Sequence, residues 1–174
     1  KPEYGYFRTT ATLGKLFTAD DIYQGTRLAT LEAINSGITY VHDWAHNIRG
    51  PEYARSGLRA LEESGLRGRF SYGPPQGQDN KKTMDLADLE KLKNDWPRYS
   101  NGGLLTLGMA WRGQGGNRPE TAVPETVWRA EYETAHRLGL PVTVHASGSK
   151  GATGQIAGLA KANMIDKVQI VHAG

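Results

Sequence analysis

Val168-Gln169-Ile170-Val171-His172-Ala173-Gly174, the final stretch of the chain, reads as a short buried strand that delivers a histidine to its C-terminal tip. Pro141-Val142-Thr143-Val144-His145-Ala146 has the same design, one strand–helix–strand unit earlier. Strands so connected lie parallel. His145 and His172 then stand at matching ends of neighbouring strands, placed to share a metal ion. The bland alternative is that both are polar residues at strand ends, satisfied by backbone groups. The chain stops immediately after the second histidine, so the expectation is an incomplete site.

The same alternation extends back along the chain. Residues 1–19 lack a clear period and read as a loop or irregular segment. Asp20 or Asp21 caps a helix running to about Ser36, with Ile22, Thr26, Ala29 and Ala33 on one face and Gly37 placed to stop it. Residues 38–44 read as a strand. Pro51 suits the first turn of a helix striped by Ala54, Leu58 and Leu61, and Gly65 closes it. A strand over 66–72, a loop over 73–77 and a helix over about 84–96 follow. Then come a strand over 104–111, a glycine-rich loop over 112–119, and a helix opened by Pro124 with Val127, Trp128, Tyr132, Ala135 and Leu138 at helical spacing. A loop over 147–153 and a helix to about Asn163 separate the two histidine strands. Strictly alternating strands and helices imply a parallel sheet, and leave open whether it is doubly wound or a barrel.

Composition narrows the function. At 174 residues with 38% hydrophobic and 22% charged residues, the chain can bury one core and form a single domain spanning 1–174. It carries no apolar run of membrane-spanning length and no signal-peptide pattern, so the expectation is a cytoplasmic protein without a membrane partner. It does not begin with Met, so the expectation is a natural N-terminus upstream. Cysteine is absent, which excludes disulfides and thiolate metal sites. The net charge of +3 is scattered, with no basic stripe, and this argues against nucleic acid. No dinucleotide fingerprint follows the first strand, and no Lys-Ser/Thr pair follows Gly113-Gln114-Gly115-Gly116 as a phosphate loop requires.

Ligands of parallel α/β folds bind at the C-terminal ends of the strands. Those ends carry His42, Asp43, Trp44, His46 and Asn47, then Ser71 and Tyr72, Trp111 and Arg112, His145 and Ser147, and His172. Every histidine but His136, which is expected on an exposed helix face, falls on this rim. His42 and Asp43 are adjacent and face opposite ways, and alternation alone does not say which points into the site. His46 and Asn47 are candidate substrate contacts or loop-stabilising residues. Trp111 is a stacking wall for a flat ring or a core residue.

Ser36-Gly37-Ile38-Thr39-Tyr40-Val41-His42-Asp43-Trp44-Ala45-His46-Asn47 resembles the second-strand segment of the amidohydrolase superfamily. The similar branch holds cytosine deaminase, chlorohydrolase, hydroxyatrazine-hydrolase and adenosylhomocysteine-deaminase-like enzymes. Residues 18–26 look like the helix before that strand, Val142-Thr143-Val144-His145 like the fifth barrel strand and Gln169-Ile170-Val171-His172 like the sixth. The resemblance implies an α/β fold of parallel (β/α) units of a TIM-type barrel, with about five of eight strands present. It implies a divalent metal, Zn or Fe, held in part by His145 and His172. It implies hydrolysis of a C–N bond in a heterocycle or amide by metal-activated water, with Trp44, His46, Asn47, Trp111 and Arg112 lining the pocket. This chain departs from the family pattern in three ways. It has no His-x-His pair, it has no eighth-strand aspartate, and Gly148 stands where many members carry a proton-shuttling glutamate. A whole barrel needs about 250 residues, so the expectation is a central fragment, roughly strands two to six. The alternatives are a truncated, non-catalytic scaffold and an unrelated doubly wound binding domain. An open sheet with bare edges is expected to form a homo-oligomer or to need the missing barrel segments.

Overall fold

The computed structural model describes residues 5–115, 122–146 and 149–172. The elements are α1 (Tyr6–Leu13), α2 (Ala19–Asn35), β1 (Tyr40–Ala45), α3 (Pro51–Ser64), β2 (Arg67–Tyr72), α4 (Leu86–Asn94), β3 (Leu105–Trp111), α5 (Glu125–Arg137), β4 (Val142–His145), α6 (Ser149–Lys161) and β5 (Val168–Val171). All five strands are parallel, in the order β1-β2-β3-β4-β5. They curl into a half-barrel with the helices between them, as (β/α) units of a TIM-type barrel do. The curl is deep enough for Arg69 on β2 to donate to Gln169 on β5 at 3.3 Å across the concave face.

Local chemistry explains the boundaries. The cap of α2 is Thr18 and not Asp20 or Asp21 as expected: Thr18 and Asp21 form a reciprocal capping box, with both acids inside the first turn. Pro51 opens α3, and Gly65 ends it in the left-handed conformation at φ 69°. Asp85 caps α4 through the Asp88 amide, so that helix is shorter than the 84–96 expected from its apolar stripe. Two further expectations are corrected. Residues 6–13 are helical, not irregular, and α6 begins at Ser149, so most of the loop expected over 147–153 belongs to the helix.

The core lies between the outer face of the sheet and the helices. Phe70, Tyr72, Leu105, Leu107, Met109, Trp111, Val142 and Val144 face outward into it, and Leu58, Leu61, Leu89, Leu92, Trp128 and Ala135 meet them from the helices. The concave face carries the opposite set from each strand. There Gly108 lets β2 side chains approach, since a Cβ would sit 3.0 Å from both Arg69 Cδ and Ser71 Oγ. Outside the core, α2 exposes Leu28 (61%), Leu31 (48%) and Ile34 (43%), and the edge strand exposes Tyr40 (49%).

Candidate functional site

Parallel pairing puts all the C-terminal strand ends on one rim, and the structure settles the orientation of β1 there. His42 and Trp44 point into the concave side. His42 Nε2 shares a 2.7 Å hydrogen bond with Ser71 Oγ, and the Trp44 ring lies 3.8 Å from that of His145. Asp43 faces the helices, near Gly57 of α3.

The register pairs His145 with Val171, one residue short of His172. By strict alternation His172 would therefore turn away from His145. It instead adopts a left-handed backbone, φ 62°, a conformation that histidine enters more readily than most residues. That turn stacks its ring on His145, with centroids 4.9 Å apart and planes 10° apart. His46 lies 6.3 Å from His145, also centroid to centroid, and its Nδ1 is 3.3 Å from Gln76 Nε2. Burial lowers the pKa of His46. It also lowers that of His145, with the other imidazoles adding to the effect. For His42 burial comes first and the Arg69 charge second. These imidazoles are therefore held toward the neutral form, which is the form that ligates metal.

A cavity of about 300 Å³ opens beside this cluster, lined by Trp44, His46, Gln76, Arg112 and His145 and by the loop after β2. Arg112 shapes it indirectly. Its guanidinium donates to the Asp79 carbonyl at 3.5 Å and to the Lys82 carbonyl, and it pairs with Glu131 Oε1 at 2.8 Å. Glu131 also accepts from the Met84 amide at 2.9 Å, so the pair staples the β2–α4 loop to α5. Glu131 was legible only indirectly: it is the one acid on the apolar stripe of α5 between Trp128 and Ala135.

The remaining rim candidates are dispersed. Trp111 edges the cavity, but its ring is wholly buried against Trp128 and Tyr132, in the core arrangement. Asn47 turns to the other side of β1, where its amide donates to the Gly14 carbonyl at 3.1 Å. Tyr72 faces the helices and donates to Asp88, and burial and that carboxylate push its pKa up. His136 is exposed on α5 and stacks on Tyr132. Ser147 and Gly148 lie outside the described residues.

His145 and His172 fit part of a metal donor set, being imidazoles stacked at adjacent strand ends, with burial lowering the pKa of His145. Among the described residues no group of three or more His, Cys, Asp or Glu side chains is arranged to hold an ion. Catalytic zinc takes about three protein ligands and a water. His145 and His172 would supply two of those three protein ligands.

Curled parallel strands, intervening helices and a histidine-bearing C-terminal rim define part of an α/β barrel with its candidate site in the usual place. The amidohydrolase family model matches residues 5–170, and the chain belongs to that family. It is 31% identical over 134 residues to a 5-methylthioadenosine/S-adenosylhomocysteine deaminase of Caldanaerobacter subterraneus subsp. tengcongensis, covering 76% of this chain and 28% of that protein. It is 30% identical over 128 residues to a 5'-deoxyadenosine deaminase of Methanosarcina acetivorans, covering 73% of this chain and 27% of that one. A 5'-deoxyadenosine deaminase of Methanoregula boonei is 30% identical over 135 residues, covering 75% and 27%. The chain thus spans little more than a quarter of the length of these relatives. No solved structure gives a significant match. No helix among the described residues is long and apolar enough to cross a membrane.

Proposed function

We propose that this chain is the strand-two-to-six portion of a metal-dependent hydrolase of deaminase type, acting on a C–N bond of a heterocycle or amide. The observation that carries the reading is the stacked pair His145 and His172, brought together at the rim by the left-handed turn at His172. The family membership and the rim geometry support the following roles. His145 and His172 hold one divalent metal, zinc or iron. Trp44 packs on His145 and fixes its ring, and Gln76 does the same for His46. His46, Trp44 and the loop stapled by Arg112 form the wall that a small flat substrate would meet. When bound, the metal supplies an acidified water as nucleophile. The deaminase relatives favour a purine nucleoside derivative as substrate, with the remaining ligands and the acid/base group coming from the rest of the barrel.

The test is metal binding by the purified chain. Zinc should bind at micromolar concentration, and His145→Ala or His172→Ala should weaken it about tenfold or more, since each removes one of two donors. Zinc uptake that is indifferent to both substitutions would sink the assignment. The second reading, a scaffold without catalysis, is favoured by the lack of a third donor among the described residues. A barrel reconstituted with the strands of a relative would separate the two: the scaffold reading expects no deamination of 5'-deoxyadenosine.

We also propose that the concave face, the bare edge of β1 and the α2 residues Leu28, Leu31 and Ile34 are covered in the working protein by further barrel elements. The isolated chain should therefore self-associate. Sedimentation at increasing concentration should show dimers or larger species, and a clean monomer at ~100 µM, about a hundredfold above a dissociation constant of about 1 µM, would count against this.

A further inference from the structure

Behind β1, on the side away from the stacked histidines, a half-open cavity of about 260 Å³ lies between α1, α2, α3 and the outer faces of β1 and β2. Its walls are mainly apolar and include Phe17, Ile22, Tyr53 and Phe70. Asp43 is the only acid among its lining residues. Among the described residues no hydrogen bond or ion pair reaches the Asp43 carboxylate, and burial alone pushes its pKa up to about 6. A second acceptor, Asn47 Oδ1, lines the same cavity and is buried without a partner. The other titratable groups facing it are His46, which burial holds toward neutral, and Tyr53, whose hydroxyl is spent on the Phe17 carbonyl at 3.0 Å. Among the described residues no lysine or arginine lines it.

An ionised carboxylate in an apolar wall is costly unless something pairs with it. Among the described residues there is no such partner, but there are a space and aromatic faces, which attract cations. The volume is larger than the ~150 Å³ that accepts benzene. We propose that the cavity binds a small organic cation with a flat apolar body. Its charged nitrogen donates to Asp43, Asn47 Oδ1 takes a further donor, and the ring packs among Phe17, Tyr53 and Phe70. The site is separate from the stacked pair His145 and His172 and does not depend on their assignment, although Trp44, His46 and Gln76 form a wall common to both cavities.

Benzamidinium is the probe and neutral benzamide its control, titrated into the whole chain at pH 7.5 and followed by calorimetry. Benzamidinium should bind saturably and at least about tenfold more tightly than benzamide, the usual worth of a charge-assisted hydrogen bond. Asp43→Asn should remove that preference. Gly57→Ala is the variant that keeps the fold, because its Cβ makes ordinary contacts of 3.5 Å with Phe70, 3.6 Å with Ile22 and 3.9 Å with Asp43 Oδ2. It narrows the cavity and should weaken both probes. His145→Ala should leave binding unchanged. Three results would overturn the proposal: no saturable binding, binding equal in Asp43→Asn, or binding lost in His145→Ala. They mean, respectively, a cavity that holds only water, one that does not read charge, and a probe seated at the strand-end site.

Discussion

Glu131→Ala is expected to destabilise the folded chain by about 3–5 kcal/mol, the usual cost of breaking a buried ion pair from one side. Glu131 is fully buried and the Arg112 side chain is 14% exposed, so neither charge has water to fall back on. The substitution strands the Arg112 guanidinium, removes the acceptor of the Met84 amide and leaves a cavity beneath α5. Burial already outweighs Arg112 and raises the pKa of Glu131, so the ionised pair is not a large net source of stability. Two contrasts follow. Glu131→Gln keeps an acceptor for Met84 and should cost only about 1–2 kcal/mol. The double variant Arg112→Met, Glu131→Leu should recover most of the loss, because it removes both charges together. Urea unfolding of the three variants checks the order. Equal losses for Glu131→Ala and Glu131→Gln would show that the buried charge is not what the loop staple depends on.

Asp43→Asn should stabilise the chain at pH 8 and leave it little changed near pH 4. The folded pKa of Asp43 is raised to about 6, against about 3.9 in an unfolded chain. Below pH 4 the carboxyl is neutral in both states and costs nothing. As pH rises through 6 the unfolded state has already released its proton and the folded state must ionise in an apolar wall, so stability falls. By pH 8 the deficit reaches about 2–3 kcal/mol, and less where water entering the cavity solvates the carboxylate. Melting temperatures of both proteins from pH 4 to 8 should start together and then diverge, with the variant higher. Parallel curves would show that Asp43 ionises without penalty. The Asp43 carboxylate has no partner among the described residues, and bound benzamidinium should close the gap between the two curves.

Much of the fold is legible in the chain because its signals are local. Pro51 at a helix start and Gly65 at a helix end each act within a few residues, whereas at α2 the start was legible but its cap is Thr18, with Asp20 and Asp21 in the first turn. The apolar stripes of α3 and α5 have a period that only a helix satisfies. What escaped was α1, whose YFRTTATL sequence offers neither a side-chain cap nor a charged first turn. The start of α6 escaped as well, since Ser149 to Gly154 is rich in small residues that read as loop.

The site divides along the same line. That histidines gather at strand ends follows from sequence position and parallel connection, and it needed no coordinates. The direction of each side chain did not follow from sequence. On β1, Tyr40, Val41 and Trp44 are all large, so alternation could not choose between His42 and Asp43, and only the packing of Asp43 beside Gly57 decided it. Trp111 suits a ligand wall or a core equally well in sequence, and it was the neighbouring Trp128 and Tyr132 of α5 that claimed it.

By itself, then, the sequence determined the order of elements, their parallel sense, the family and the rim on which His145 and His172 stand, because these depend on periodicity and short-range caps. Only the tertiary structure decided that the two rings meet. The register sets His145 opposite Val171, and a left-handed turn at His172 brings its ring back across that one-residue offset. Register is a property of two strands pairing over a long separation in the chain, and no local pattern in either strand encodes it.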